Sequence, residues 1–210
     1  KLFGKKTIVY GQSIGPLSES GKKAVASTLQ GVSVAVRDEQ SQRLLVELGV
    51  KAELVADGAL LLSGGEKPSP FPSFSPASFL LFPRAGYPTI TTALTKLAQT
   101  LVAKGHAVAG VSVQPNEDRH DLETIRAAVP GFTILEATSP QELVSIISQS
   151  SYVVSGRLHG LILAAVSGVN FCGLVYDPKV AAFLTEAGAA SFTLPVEQES
   201  LEHTVLSQTS

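Results

Sequence analysis

The segment YVVSGRLHGLILAAV, residues 152–166, carries the clearest structural signal in this chain. Its apolar start, 152–154, is typical of a buried strand, and the small residues that follow predict a tight turn. The apolar stretch from Leu158 onward then has the composition of a buried helix. A strand that leads directly into a helix is the building unit of parallel α/β folds, and we expect that class here.

The longest uncharged run, 160–176, includes this helix and approaches the length of a membrane span. Gly168, Asn170 and Gly173 interrupt the run, and the pair Ser167-Gly168 is typical of a helix end. The sequence therefore predicts a buried helix followed by a buried strand, and no transmembrane segment.

The alternation of strand and helix extends in both directions from this segment. Because strands that alternate with helices form parallel sheets covered on both faces, we expect Rossmann-like lobes that bind ligands at the carboxyl ends of their strands. The pattern predicts strands at 7–10, 33–36, 52–55, 79–82, 106–113, 152–154 and 170–175, and helices at 19–30, 38–48, 90–104, 122–129, 158–166, 180–187, within 197–207, and from Ser139 onward with Glu142 in a capping box.

A stretch rich in proline, serine and glycine divides the chain. Residues 63–78 hold four prolines, which favours a linker over an element of regular structure. We therefore expect an N-terminal α/β lobe at 1–62, a C-terminal Rossmann-like lobe at 79–195 and a helical tail at 196–210.

Composition excludes several classes of protein. The 210 residues are 44% hydrophobic with a net charge of −2, so the chain lacks the basic excess of a nucleic-acid-binding protein and the polarity of a disordered one. The single cysteine, Cys172, cannot form an internal disulfide or a cysteine-rich zinc site. A reducing, cytoplasmic location is therefore expected.

Arg157 and His159 lie where the central strand passes into its helix. Backbone N–H groups at a helix start favour an anion, and a guanidinium can hold a carboxylate or phosphate with two parallel hydrogen bonds. His159 is placed to transfer a proton beside such an anion. The alternative is a surface arginine followed by a histidine that caps the helix.

Three other cations stand at strand ends. Arg37 follows the strand 33–36, and the Asp38 beside it is a candidate either for capping the next helix or for chemistry. Arg84 and Lys179 follow two further strands, so an anionic ligand is expected near them, although a surface role is the alternative for each. The acidic patch 117–121 is interpreted as a solvated loop and helix start, with too few ligands for a metal site.

The motifs at these positions resemble the polysaccharide pyruvyl transferase family. The matching stretches are GQSIGPL at 11–17, VAVRDEQS at 34–41, LGVKAELVADGALLL at 48–62, SGRLHGLILAA at 155–165 and GLVYDPKVAAFL at 173–184. The resemblance covers most of 1–190. It implies a GT-B-like fold of two Rossmann-like lobes around a cleft, with the N-terminal lobe incomplete in this chain.

The resemblance also implies a reaction in which pyruvate moves from phosphoenolpyruvate onto two hydroxyls of one sugar and forms a cyclic ketal. It places Arg37, Arg157, Leu158 and His159 in the phosphoenolpyruvate site, with Lys179 beside them. His159 is expected to be the acid, held charged by Asp38. The acceptor is expected to be a saccharide, such as an N-acetylmannosamine-containing or lipid-linked sugar, and no metal or cofactor is required.

Two other functions stay open at this point. The same cleft would suit a GT-B glycosyltransferase or a sugar-nucleotide epimerase, which differ from a pyruvyl transferase in using a nucleotide-linked donor. A non-catalytic carbohydrate-binding protein on this fold is the other alternative, although such a protein needs no proton donor at His159.

Overall fold

The computed structural model describes residues 6–62 and 78–208, and the statements on structure below refer to these residues. They form two units, divided between Leu61 and Leu62. The expected linker at 63–78 lies outside the described residues except for Ser78, which begins a strand. No described helix is long and apolar enough to cross a membrane.

The first unit contains a parallel sheet of three strands in chain order, β1 (Ile8–Gln12), β2 (Ser33–Val36) and β3 (Ala52–Leu54). Val34 and Val36 of the central strand pack on Leu45 of the second helix, which forms a small core. The other face of the sheet is less covered, since Ile8 and Tyr10 are exposed. The elements are β1 (Ile8–Gln12), α1 (Glu19–Thr28), β2 (Ser33–Val36), α2 (Glu39–Glu47), β3 (Ala52–Leu54) and a 3-10 turn at Gly58–Leu61.

The second unit continues the strand and helix alternation over six strands. Its strands are β4 (Ser78–Phe82), β5 (Ala107–Val111), β6 (Thr133–Leu135), β7 (Tyr152–Ser155), β8 (Asn170–Val175) and β9 (Ala190–Thr193). Its helices are α3 (Pro88–Ala103), α4 (Pro115–Ala128), α5 (Pro140–Ser148), α6 (Leu158–Val166), α7 (Pro178–Glu186) and α8 (Gln198–Leu206).

All six strands are parallel, in the order β6-β5-β4-β7-β8-β9. Phe79, Leu81 and Val154 point to the core under α3, α4 and α8, whereas Phe82 and Gly173 face α6 and α7 on the opposite side. This is the doubly wound Rossmann order, and its direction reverses between β4 and β7. Ligands of open α/β sheets bind outside the carboxyl ends of the strands at that reversal.

The largest difference from the sequence prediction is in α4, which was expected to begin at Leu122 and begins at Pro115. The acidic patch at 117–121 therefore lies in the first part of a helix, so its interpretation as a helix start is confirmed and its interpretation as a solvated loop was wrong. Proline at the first helical position and acidic residues in the first turn are helix-start signals. These signals were not used because residues 116–121 are all polar and show no apolar periodicity.

Three smaller differences concern the edges of the second unit. The strands β6 and β9 were not predicted, because both are short, lie at sheet edges and lack a clear apolar alternation. The last helix, α8, was expected to belong to a separate tail. Its Leu201 and Val205 are instead buried in the same core as α3.

Candidate functional site

The reversal point of the second unit is built by the turn between β7 and α6. The Gly156 N–H donates to the Phe82 carbonyl at 2.9 Å, which ties this turn to the end of β4. The Ser155 hydroxyl donates to the Arg157 carbonyl at 2.8 Å and accepts from the Arg157 N–H at 2.9 Å. These bonds fix the backbone from which the side chains of Arg157 and His159 project.

The Arg157 side chain turns into the protein and is only 7% exposed. Its Nε donates to Asp118 Oδ1 at 3.1 Å, and its Nη2 donates to Asp118 Oδ1 and, at 3.0 Å, to Glu117 Oε2. Its Nη1 donates to Gln114 Oε1. The guanidinium that the sequence suggested for a ligand carboxylate thus donates through Nε and Nη2 to one oxygen of Asp118, and the surface alternative was wrong because Arg157 is buried.

The sequence analysis placed Asp118 in a solvated patch and missed its role here, as it missed the roles of Glu117 and Gln114. Its side chain is fully buried, and its Oδ2 accepts from Ser112 Oγ at 3.3 Å and from the Val113 and Gln114 N–H groups at 3.2 and 3.0 Å. The Asp118 carboxylate therefore accepts hydrogen bonds both from the backbone N–H groups before α4 and from the guanidinium of Arg157. An acidic residue in the first turn after a proline was the available signal.

Arg84, which follows β4, contacts Glu117, the more exposed of the two carboxylates that bind Arg157. Its Nη1 donates to Glu117 Oε2 at 3.0 Å, and its guanidinium carbon lies 5.5 Å from the centroid of the Tyr176 ring. Burial acts to lower the pKa of Arg84, but Tyr176 and Glu117 outweigh it and raise this pKa. The hydrogen bond from Arg157 lowers the pKa of Glu117 most; burial acts to raise this pKa, but the charge of Arg157 and the hydrogen bond and charge of Arg84 also lower it and the net shift is downward.

His159, Leu158 and Lys179 complete the residues expected in this unit. His159 is exposed in the first turn of α6, while Leu158 beside it is buried and packs into the unit. Lys179 lies in the first turn of α7, where its Nζ is 3.3 Å from Asp177 Oδ2, the side chain that caps the helix. The structure thus joins Arg84 and Arg157 through Glu117, whereas Lys179 pairs locally.

In the first unit, Arg37 likewise projects from a strand end. Its Nε donates to Ser13 Oγ at 2.8 Å, and its Nη1 pairs with Asp57, so the carboxyl ends of β1, β2 and β3 each supply one of these residues. Asp57 was not singled out in the sequence. Its position after β3, parallel to that of Arg37 after β2, was the signal.

Asp38 takes the capping position of α2. Its Oδ1 accepts from the Ser41 N–H at 2.7 Å, and the Ser41 hydroxyl in turn accepts from the Ile14 N–H at 2.7 Å. Burial acts to raise the pKa of Asp38, but hydrogen bonds from Ser41 and Ser13 and the charge of Arg37 outweigh it, so this pKa is lowered. The observed contacts of Asp38 are those of a helix cap.

The described residues contain no group of three or more histidine, cysteine, aspartate or glutamate side chains that could hold a metal ion. Cys172 is fully buried in β8, and burial raises the pKa of its thiol to about 12 against a smaller opposing hydrogen bond with Tyr152. This thiol is therefore not a nucleophile at neutral pH.

Comparison with known proteins identifies one sequence family. The sequence model of the family described as polysaccharide pyruvyl transferase matches residues 1–178. No curated protein matches the chain.

Solved structures of similar fold include two kinds of sugar-handling enzyme. The UDP-GlcNAc 2-epimerase of Methanocaldococcus jannaschii has a TM-score of 0.64 at 12% identity, over 100% of this chain and 70% of that chain. A variant of S. aureus TarM gives 0.60 at 12%, over 96% and 43%, and a glycosyltransferase from Rickettsia africae gives 0.57 at 14%, over 96% and 59%. The chain thus spans only part of these proteins. At such identities the likeness shows the fold alone, which is the GT-B type with parallel sheets.

Proposed function

Because the chain belongs to the polysaccharide pyruvyl transferase family and is thereby a transferase acting on polysaccharide, we propose that it moves pyruvate from phosphoenolpyruvate onto two hydroxyls of one sugar residue. The product is a cyclic ketal, and inorganic phosphate is released. The sugar belongs to a cell-wall or surface polysaccharide or to its lipid-linked precursor. The expected cytoplasmic location stays a prediction.

One observation carries the proposal for the donor. At the reversal point of the Rossmann sheet, Arg84 and Arg157 share the single oxygen Glu117 Oε2, so two guanidinium groups converge on one anionic atom. Phosphoenolpyruvate carries a carboxylate and a phosphate and needs such paired cations. We propose Arg37, in the first unit, and Lys179 as further donor-binding residues, and Leu158 as the buried residue that anchors His159.

The proposed chemistry needs one acid. Protonated His159 donates its proton to the methylene carbon of phosphoenolpyruvate, and C2 becomes an oxocarbenium-like centre that the phosphate oxygen stabilises. The first sugar hydroxyl attacks C2 and loses its proton. The C2–O bond to phosphate then breaks with its electron pair, and the second hydroxyl closes the ketal and loses its proton. This scheme uses no metal or cofactor. The phosphate and carboxylate of bound phosphoenolpyruvate favour the protonated imidazole of His159.

The proposal is tested by supplying purified protein with phosphoenolpyruvate and a panel of saccharides that includes N-acetylmannosamine-containing glycans. We expect phosphate release that depends on both substrates, and an acceptor whose mass increases by one pyruvate less one water. Parallel reactions receive UDP-linked sugars in place of phosphoenolpyruvate. Turnover of the nucleotide sugars without any turnover of phosphoenolpyruvate would replace the proposal with a glycosyltransferase or epimerase.

The role of His159 is tested with His159→Gln, which keeps a hydrogen-bond donor but removes the transferable proton. We expect turnover to fall by about 10²–10⁴, the usual effect of one acid–base group, while donor affinity changes much less. His203→Gln, another exposed histidine in α8, is the matched control and should keep full activity. Ketal formation at the normal rate in His159→Gln would show that His159 is not the acid.

A further inference from the structure

The shared carboxylate of Glu117 differs from Asp118 although the two are adjacent in the chain. Asp118 is fully buried and accepts from three groups besides Arg157. Glu117 is 48% exposed, and its Oε2 accepts from Arg84 and Arg157 on the outer side of the group. One carboxylate is therefore fixed within the protein, whereas the other can turn away into solvent by a side-chain rotation.

The charges of this group balance only while Glu117 is in place. Arg84 and Arg157 contribute two positive charges, and Glu117 and Asp118 contribute two negative charges. Departure of the Glu117 carboxylate leaves one net positive charge and two N–H donors, Arg84 Nη1 and Arg157 Nη2, that had both pointed at one oxygen. An incoming phosphate or carboxylate oxygen meets the same two donors with the same charge complementarity.

We propose that Glu117 occupies the position of an anionic group of the ligand and is displaced when that ligand binds. Before the ligand binds, Glu117 holds the two arginines in their binding geometry and neutralises one of their charges. The N–H donors are therefore already in position, but the affinity for the ligand is lower because the ligand must displace Glu117. This inference rests on the proposed function for the identity of the ligand, phosphoenolpyruvate, but it assigns to Glu117 a role in setting affinity that is separate from catalysis.

The test compares Glu117→Gln with the intact protein and with Glu123→Gln. Glu123 lies on the same helix and pairs with Arg126, so its variant makes the same change of net charge away from the two arginines. Dissociation constants for phosphoenolpyruvate and for inorganic phosphate are measured by calorimetry. We expect Glu117→Gln to bind both anions about threefold to tenfold more tightly, since a competing charge is removed, and Glu123→Gln to bind them as the intact protein does.

A kinetic measurement separates displacement from a structural role. Displacement predicts a lower KM for phosphoenolpyruvate in Glu117→Gln without an increase in kcat, and Glu117→Ala should behave in the same way. Equal or weaker binding in both variants, or no anion binding in any variant, would overturn the inference.

The inference and the proposed function can fail separately. Ketal formation by the intact protein, without tighter binding in Glu117→Gln, overturns the displacement and leaves the function. Tighter binding of inorganic phosphate in Glu117→Gln, with no binding of phosphoenolpyruvate by any variant, supports the displacement and overturns the donor assignment.

Discussion

At the scale of single residues, Asp118 and Arg157 form a buried ion pair in the second unit. Burying two charges is costly, but removing one partner of an existing buried pair costs more, because the other charge is left uncompensated. Asp118 also accepts from the backbone before α4, so its carboxylate ties the start of that helix to the turn after β7. The pair therefore couples two strand ends that carry candidate functional residues.

Replacement of Asp118 by Asn should be strongly destabilising. The amide keeps the size of the carboxylate but loses its charge, and its NH₂ group must face either Arg157 or backbone N–H groups, which are also donors. We expect the free energy of unfolding, measured by urea titration, to fall by about 3 kcal/mol, near the lower end of the range for breaking a buried ion pair.

The matched control is Asp121→Asn on the same helix. Asp121 Oδ1 accepts a hydrogen bond from the Thr91 hydroxyl at 2.7 Å, and the Asn oxygen can accept it as well. We expect a loss of about 1 kcal/mol or less for this variant. Equal losses in the two variants would show that the charge of Asp118 contributes little.

At this scale the sequence predicted where Arg157 lies but not what it binds. The position after a strand could be inferred from local pattern alone. Its partner Asp118 is 39 residues earlier in the chain, and nothing local indicates which carboxylate the fold brings to it. The burial of Asp118 was missed for the same reason, since a charged residue in a polar stretch is ordinarily exposed.

At the scale of elements, the junction of β7 and α6 depends on close approach. A Cβ added at Gly160 would lie 2.6 Å from Ser155 Oγ and 3.2 Å from Phe82 Cγ. The Ser155 hydroxyl cannot move away without losing its two bonds to the Arg157 backbone. Glycine at this position therefore lets α6 pack directly on the strands that form the site.

Gly160→Ala should destabilise the protein, although the same change usually stabilises an exposed helix position by about 0.5–1 kcal/mol. Overpacking against Ser155 and Phe82 outweighs that gain, and we expect a net loss of about 1–2 kcal/mol in chemical denaturation. The control is Gly58→Ala, where an added Cβ meets nothing within 4 Å. An unchanged or higher stability in Gly160→Ala would contradict this packing.

The sequence predicted α6 and β8 with their observed bounds, because each is a continuous apolar run next to glycine or a small-residue turn. It predicted α4 poorly, because the first turn of that helix is polar and its buried side chain there is an aspartate. Apolar periodicity locates elements by the face they bury. It fails where the buried group is a paired charge.

At the scale of the whole molecule, the two units have cores of very different size. The second unit buries Phe79, Phe82 and many branched aliphatic side chains between its sheet and its two helical layers. The first unit has a small core around Leu45 and exposes Ile8 and Tyr10. We therefore expect the central strands of the second unit to be the best protected backbone among the described residues.

Hydrogen exchange should reveal this difference. We expect the amides of β4 and β7 to exchange at least about tenfold more slowly than those of β1 and β2, after correction for intrinsic rates, since local opening is easier where fewer apolar contacts must be broken. Mass spectrometry of peptides from each strand measures the rates. Comparable protection in β2 and β7 would show that the first unit is as stable as the second.

Parallel sheets with helical layers could be predicted for the whole chain, since strand and helix alternate throughout. The order of the strands could not, because each parallel pair joins segments separated by a helix, and periodicity carries no information about such partners. The similarity of the solved GT-B structures confirms the fold class.

The pairing of β4 with β7 has a consequence for how the protein is made. Leu80 of β4 pairs with Val153 of β7. The elements α3, β5, α4, β6 and α5 are therefore synthesised before the second neighbour of β4. Until β7 emerges from the ribosome, the nascent chain contains β4, β5 and β6, and the edge of β4 that pairs with β7 has no partner strand. The proposed anion site therefore cannot form in a product that terminates before Arg157, because Arg84 is translated early and Arg157 comes just after β7.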